Sequence, residues 1–338
     1  MRRSQTGRAI GFLFAALPML LQLPSLAHAQ VDDRPAAHGS HTLQIDAKPT
    51  VRKLASRLTL PRRVEAAPDG TALVVDSTLG TLTRFTTEGT ATVIAADILE
   101  PTGVAAYGRD EILVTEFASG MLGAGALLLI NAEGELFVHA AGLPGPVDVT
   151  VAPDGTPFVA CLDGTVARIG PDGSWTTIAS GLPQPSAITV DPVGRLLIAS
   201  TIDGSIRQIS TSGELELLRE GLRDPVDLAV DSEGHLIVAC EVGNELLYID
   251  GSGGKRTFAH VPTGTSSIAF DKHDNIYLVN TERHTLLRVV INVFVDCPHC
   301  GDRLKLQFRR PGGLAKPKPA SEPDPGTIAD AIAEGPVT

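Results

Sequence analysis

The chain has 338 residues, with 28 Lys and Arg against 39 Asp and Glu, a net charge of −11 at pH 7. Hydrophobic residues make up 43% and charged residues 20%, a globular composition rather than a disordered or membrane-saturated one. The acidic balance argues against a nucleic-acid partner, which needs a basic surface, and equally against docking on anionic lipid.

Residues 1–29 read as a secretory signal peptide. Arg2, Arg3 and Arg8 form the basic start, Ala9 to Leu26 is largely apolar, and Ala27-His28-Ala29 is a small-x-small cleavage site. This predicts an exported protein, periplasmic or secreted, cleaved after Ala29. No later window reaches the roughly 18 apolar residues of a membrane span. Residues 30–50 form a flexible polar leader.

From there the chain repeats itself. A Leu-x-x-Pro phrase precedes an apolar strand, a turn, a second strand and a third strand led by Gly. The anchor falls at Pro61, Pro101, Pro146, Pro185, Pro225 and, substituted, Thr265, spacings of 40, 45, 39, 40 and 40. Extra residues around Met121 to Gly125 account for the longest. Each unit alternates apolar and polar residues with period two, the signature of strands. Asp69-Gly70, Asp154-Gly155 and Glu233-Gly234 supply the positive φ of a tight hairpin. Third strands start at residues 80, 125, 164, 204, 244 and 284, and a fourth follows most of them, as in WTTIASGL at 175–182. The predicted fold is all-β: a six-bladed β-propeller over residues 51–291 with four antiparallel strands per blade. The sixth unit lacks its own fourth strand, and VRKLASRL at 51–58 resembles one. The N-terminal segment is therefore expected to close the ring as the outer strand of blade six, removing a sheet edge.

These units resemble NHL repeats, in their order of proline, apolar strand, Asp-x-x-Gly, apolar strand, turn and apolar strand. The wider group of similar six-bladed propellers includes gluconolactonase-like metal hydrolases, strictosidine-synthase-like proteins, streptogramin lyases and non-catalytic binding modules. PDGTALVVDS at 68–77 resembles the gluconolactonase segment that ends in a ligand Asp, here Asp76. That resemblance implies an Asn where this chain has Arg63, and an arginine repels a cation.

Two sets of equivalent positions face the channel in this reading. The residue ending the second strand is Asp76, Glu116, Cys161, Ser200, Cys240 and Asn280. The second residue after the anchor is Arg63, Gly103, Asp148, Ala187, Asp227 and Ser267. Asp76, Glu116, Asp148, Asp227 and Asn280 together offer oxygen ligands for a hard cation such as calcium, which polarises an ester or lactone carbonyl. The competing reading has these groups capping strands and satisfying Arg63. No histidine pair suits acid–base work, and no G-x-S-x-G elbow, phosphate loop or dinucleotide fingerprint occurs.

Cys161 and Cys240 fall in non-adjacent blades, as small buried thiols or a soft-metal or reactive-thiol site. Beyond the ring, residues 292–310 read as a hairpin with Cys297-Pro298-His299-Cys300 at its tip. Cys297 and Cys300 fit half a zinc knuckle, a local disulfide or a redox pair. Residues 311–338 read as a disordered tail.

The sequence supports two functions. The first is an exported scaffold that binds a protein or small-molecule ligand on one face of the ring, with Met121 and Leu122 as leading contacts. The alternative is a metal-dependent hydrolase, lactonase- or esterase-like, or a lyase with its cation in the channel.

Overall fold

The computed structural model describes residues 45–47, 50–118, 123–210, 213–290, 293–296 and 303–306. The signal segment, the tail from 311 onward, Met121, Leu122, Cys297 and Cys300 lie outside the described residues. Among the described residues all regular structure is strand, and no helix is long and apolar enough to cross a membrane.

Six four-stranded antiparallel sheets form the predicted blades. Blade 1 comprises Pro61–Ala66, Ala72–Asp76, Thr81–Phe85 and Ala91–Ala95. Blades 2 to 5 repeat it from Pro101, Pro146, Pro185 and Pro225. Blade 6 takes three strands from Thr265–Phe270, Ile276–Asn280 and Thr285–Val290. Its fourth is Thr50–Ser56, antiparallel to Thr285–Val290, so the N-terminal segment closes the ring as expected.

The repeated anchor has a geometric cause. Each anchor pairs with the last residue of the second strand, Pro61 with Asp76 and Pro225 with Cys240 for example, and a bulge follows at once. The ladder resumes two residues later, at Arg63 with Val75 and Asp227 with Ala239. Proline has no N–H to give a ladder, so it belongs at a strand start beside a bulge. The bulge turns the second residue after the anchor toward the channel.

The Gly that leads the third strand is equally constrained. Gly204 has φ +59°, and a Cβ there would lie 2.0 Å from the Leu222 carbonyl oxygen. That close approach brings the Leu222 N–H to the Gly204 carbonyl at 2.8 Å, tying the end of the fourth strand to the turn. Asn244 and His284 occupy the same left-handed position in blades 5 and 6.

The core lies between blades. Six apolar clusters each join two neighbours. Second strands are buried on both faces, so alternate side chains serve two clusters: Leu73 and Val75 pack toward blade 2, Ala72 and Val74 toward blade 6. The closing strand joins this scheme, as Leu54 packs with Val64, Phe85, Tyr277 and Leu286. The Tyr277 hydroxyl donates to the Gly70 carbonyl at 2.6 Å across the same junction.

Beyond the ring, Val293–Asp296 and Arg303–Leu306 pair as antiparallel strands. Ile45–Ala47 adds to Val293–Val295 as a third strand, which corrects the reading of residues 30–50 as flexible throughout. The open edge of this pair gives these leader residues a backbone partner that local sequence could not reveal.

Closure by residues 50–56 makes a specific prediction. Leu54→Ala, at a 7% exposed position, will cost about 2–5 kcal/mol, the range for emptying a packed leucine site. Val93→Ala, at 60% exposure on the outer strand of blade 1, will stay within about 0.5 kcal/mol. Urea unfolding midpoints check both, and equal effects would mean that the junction contributes no more than an exposed edge.

Candidate functional site

All 4→1 connections and 2→3 turns lie at the anchor end of the blades. There a cavity of about 740 Å³ opens at the mouth of the ring. Arg62, Glu100, Phe117, Val147, Gln184 and Glu241 line its wall, and Arg63 also lines it. Below is a smaller space of about 200 Å³, lined by Arg63, Glu65, Asp148, Thr150, Thr189 and Asp227. Arg63 thus borders both spaces.

Arg63 reaches across the channel from blade 1. Its Nη1 donates to Asp227 Oδ1 of blade 5, and its Nη2 donates to the Ser186 carbonyl of blade 4 at 2.9 Å. Its Nε lies 3.2 Å from Asp148 Oδ1 of blade 3, an ion pair without hydrogen-bond alignment. Charged residues therefore stand on blades 1, 3 and 5, with Gly103, Ala187 and Ser267 between them. At Gly103 the absence of a side chain is required. A Cβ on Gly103 would sit 2.7 Å from Asp148 Cα and 2.8 Å from Asp148 Oδ1.

Both carboxylates also stitch blades together. Asp148 Oδ2 accepts from the Ile188 N–H at 2.9 Å, and Asp227 Oδ2 from the Ile268 N–H at 2.7 Å. Ser267 Oγ accepts from the Val64 N–H at 3.0 Å in the same way. Each bond satisfies a backbone donor of the next blade.

Burial and charge act together on these groups. Burial alone would lower the Arg63 pKa, but Asp148, Asp227 and Glu65 raise it above the ordinary value. Burial raises Asp148 and Asp227 despite Arg63. Glu65, two residues further along the channel than Arg63, is pushed up to about 8 by burial and then by Asp148 and Asp227.

The sequence-derived cation ligands do not converge. Asp76 accepts four backbone N–H bonds, from Thr59, Leu60, Thr78 and Leu79. Glu116 accepts from the Leu99 N–H at 2.9 Å. Asn280 donates to the Thr263 carbonyl and accepts from the Arg283 N–H. These three tie the strand ends to the connections beside them, whereas Asp148 and Asp227 meet at Arg63. Among the described residues no group of three or more His, Cys, Asp or Glu is placed to hold a metal ion. The cation implied by the gluconolactonase resemblance does not fit here, because a guanidinium already fills the space between the two carboxylates.

Cys161 and Cys240 are free and buried, and burial pushes their thiols up to about 12 and about 11. Neither has the thiolate character of a reactive or metal-binding cysteine. Among the described residues no histidine lines either space. Sequence reasoning missed Glu65 and Arg62. The period-two alternation that placed Arg63 in the channel continues to Glu65 and was the available signal.

A prediction follows from Glu65. Its folded pKa lies above the ordinary 4.5, so the native state holds a proton that the unfolded chain loses. Native stability must then fall as pH rises between about 5 and about 8. Glu65→Gln will flatten that decline and leave the variant more stable than wild type at pH 8. Chemical unfolding across this range checks it, and parallel curves for the two proteins would refute the assignment.

No protein-family model matches the chain, and no curated protein matches it. Solved structures do. A gluconolactonase from Xanthomonas campestris is 19% identical with a TM-score of 0.61, over 76% of this chain and 99% of that one. A streptogramin B lyase is 14% identical with a TM-score of 0.59, over 72% and 98%. The PQQ-bound aldose sugar dehydrogenase from Streptomyces coelicolor is 16% identical with a TM-score of 0.56, over 74% and 100%. At such identities the likeness is one of fold, and the chain shares the architecture of the six-bladed propellers.

Proposed function

We propose that the protein is a small-molecule hydrolase or lyase that handles an ester- or lactone-like substrate in the cavity at the anchor end of the ring. The observation that carries this is the cavity itself: about 740 Å³, the size of a small-molecule site, with a buried guanidinium at its base. A guanidinium carries five donors, and Arg63 directs three nitrogens at Asp148, Asp227 and Ser186. The donors left over suit a carbonyl or carboxylate oxygen, and Arg62 adds a second cation on the wall. The activities of the similar gluconolactonase and streptogramin B lyase support a small-molecule role over a pure scaffold. We further propose that the units are NHL repeats and that the protein is exported after cleavage at Ala29.

A second reading rests on the rim. Leu79, Leu99, Leu162, Ile202 and Val242 are exposed on the same face, with Ile202 at 72%. Such a collar favours an apolar contact, either the tail of a substrate or a protein partner.

The test is a proton-release assay of the mature protein with lactones and carboxylic esters, beside Val147→Trp, which fills the cavity. The expected result is turnover by wild type and a loss of at least about tenfold in kcat/KM in the variant, with unchanged thermal stability. No turnover and no ligand-observed NMR binding by wild type would remove the enzyme reading. Turnover unaffected by the tryptophan would move the site elsewhere.

A further inference from the structure

The turns at the two ends of the ring differ in one respect. At the anchor end, Leu79, Leu162, Ile202 and Val242 stand exposed in the 2→3 turns of blades 1, 3, 4 and 5, and Leu99 in the connection into blade 2. Among the described residues, the turns at the far end expose no large apolar side chain. The remaining exposed ones, such as Val93, Phe137 and Leu217, all lie on outer strands. Apolar exposure in a turn therefore goes with the cavity end.

This collar is continuous with the cavity wall. Leu162 belongs to both. Gly145 lies between Leu162 and Phe117, since a Cβ on it would sit 3.3 Å from Leu162 Cβ and 3.3 Å from Phe117 Cε2. The Ile98 N–H donates to the Gly80 carbonyl at 3.0 Å, which joins the turn carrying Leu79 to the connection carrying Leu99. Val147 and Val226 also line the cavity. Its polarity thus runs from the Arg63 guanidinium at the base to an apolar rim.

We infer that the cavity takes an amphiphile, with a neutral ester or lactone head at the guanidinium and an alkyl tail laid along Phe117 and Leu162 to the collar. The head rests on the hydrolase or lyase reading above, and the tail rests on the collar alone. A folded partner would cover the rim and leave the cavity of about 740 Å³ beneath it unfilled, whereas a linear chain fills both. Glu100 and Glu241 on the wall disfavour an anionic ligand such as a free fatty acid, so the head is uncharged. Each tail methylene that leaves water for the apolar wall adds to binding.

The experiment measures kcat/KM of the mature protein for γ-valerolactone and for γ-undecalactone, which has the same ring and a longer tail. The expected ratio favours the longer lactone by about tenfold or more. Leu79→Asp with Ile202→Asp, at two exposed positions where the fold tolerates change, is expected to bring that ratio close to one. Turnover of both lactones with a ratio near one in wild type overturns the inference and leaves the hydrolase reading standing. If neither lactone is turned over, saturation-transfer NMR with N-methyloctanamide, an uncleaved carbonyl amphiphile, reads the tail site directly. Methylene signals that the double variant loses support the inference; their absence, or their persistence in the variant, overturns it. Self-association of wild type that the same variant abolishes, with no effect of tail length, assigns the collar to a second copy and overturns it too.

Discussion

The contact of Arg63 with Asp148 and Asp227 sets the terms for the whole ring. Three charged side chains from alternate blades meet at its centre, and blade 2 between two of them has room only for Gly103. Buried ion groups seldom add stability over apolar packing of the same volume, because desolvation offsets the attraction. Stability comes instead from the six inter-blade clusters and the closing strand. The charged centre therefore has to be explained by what it does, namely fixing how blades 1, 3 and 5 face each other and placing a permanent positive charge under the cavity. Removing one member would leave the others buried and unpaired, a far larger penalty than the cluster's net contribution.

Much of this architecture was legible in the sequence because repetition makes each error visible. Six units with one anchor proline, one turn pair and one Gly-led strand admit few folds. The missing fourth strand of blade 6 pointed to residues 51–58. The channel was legible only in part. Two equivalent ring positions looked alike as lists of polar residues, and the difference between them is tertiary. Asp76, Glu116 and Asn280 end strands beside connections whose N–H and carbonyl groups need partners, so their side chains turn back to the backbone. Asp148 and Asp227 follow the bulge, which aims them inward. Nothing local distinguishes an aspartate that caps from one that converges. The leader strand Ile45–Ala47 was hidden for a related reason, since its partner lies about 250 residues away, at the far end of a closed ring.

The two ends of the ring serve different ends of the same problem. At the far end, Asp- and Gly-containing turns satisfy themselves through local bonds, as in Asp231 with His235 and Asp271 with Asn275. At the anchor end, hydroxyls reach the next blade instead: Ser77 to the Pro101 carbonyl, Thr102 to Pro146, Ser186 to Pro225 and Thr281 to Pro61. These bonds satisfy the anchor carbonyls and brace the mouth of the cavity from blade to blade. A cavity wall built this way is rigid, and the turns above it, where Leu79, Ile202 and Val242 stand exposed, are free to differ in sequence.

That division bears on the choice between enzyme and scaffold. A scaffold needs only the variable rim. It gives no reason to place a guanidinium under a cavity, to hold it with two carboxylates and a carbonyl, and to set beyond it a glutamic acid whose pKa is raised by burial. A hydrolase or lyase has such a reason, since a fixed positive charge in a water-poor site stabilises developing negative charge without reorganising when the reaction occurs. Arg63 is fixed by contacts from three other blades, so its position depends on the closed ring and not on its own strand alone. The closure by residues 50–56 is then as much a condition of the proposed chemistry as of the fold.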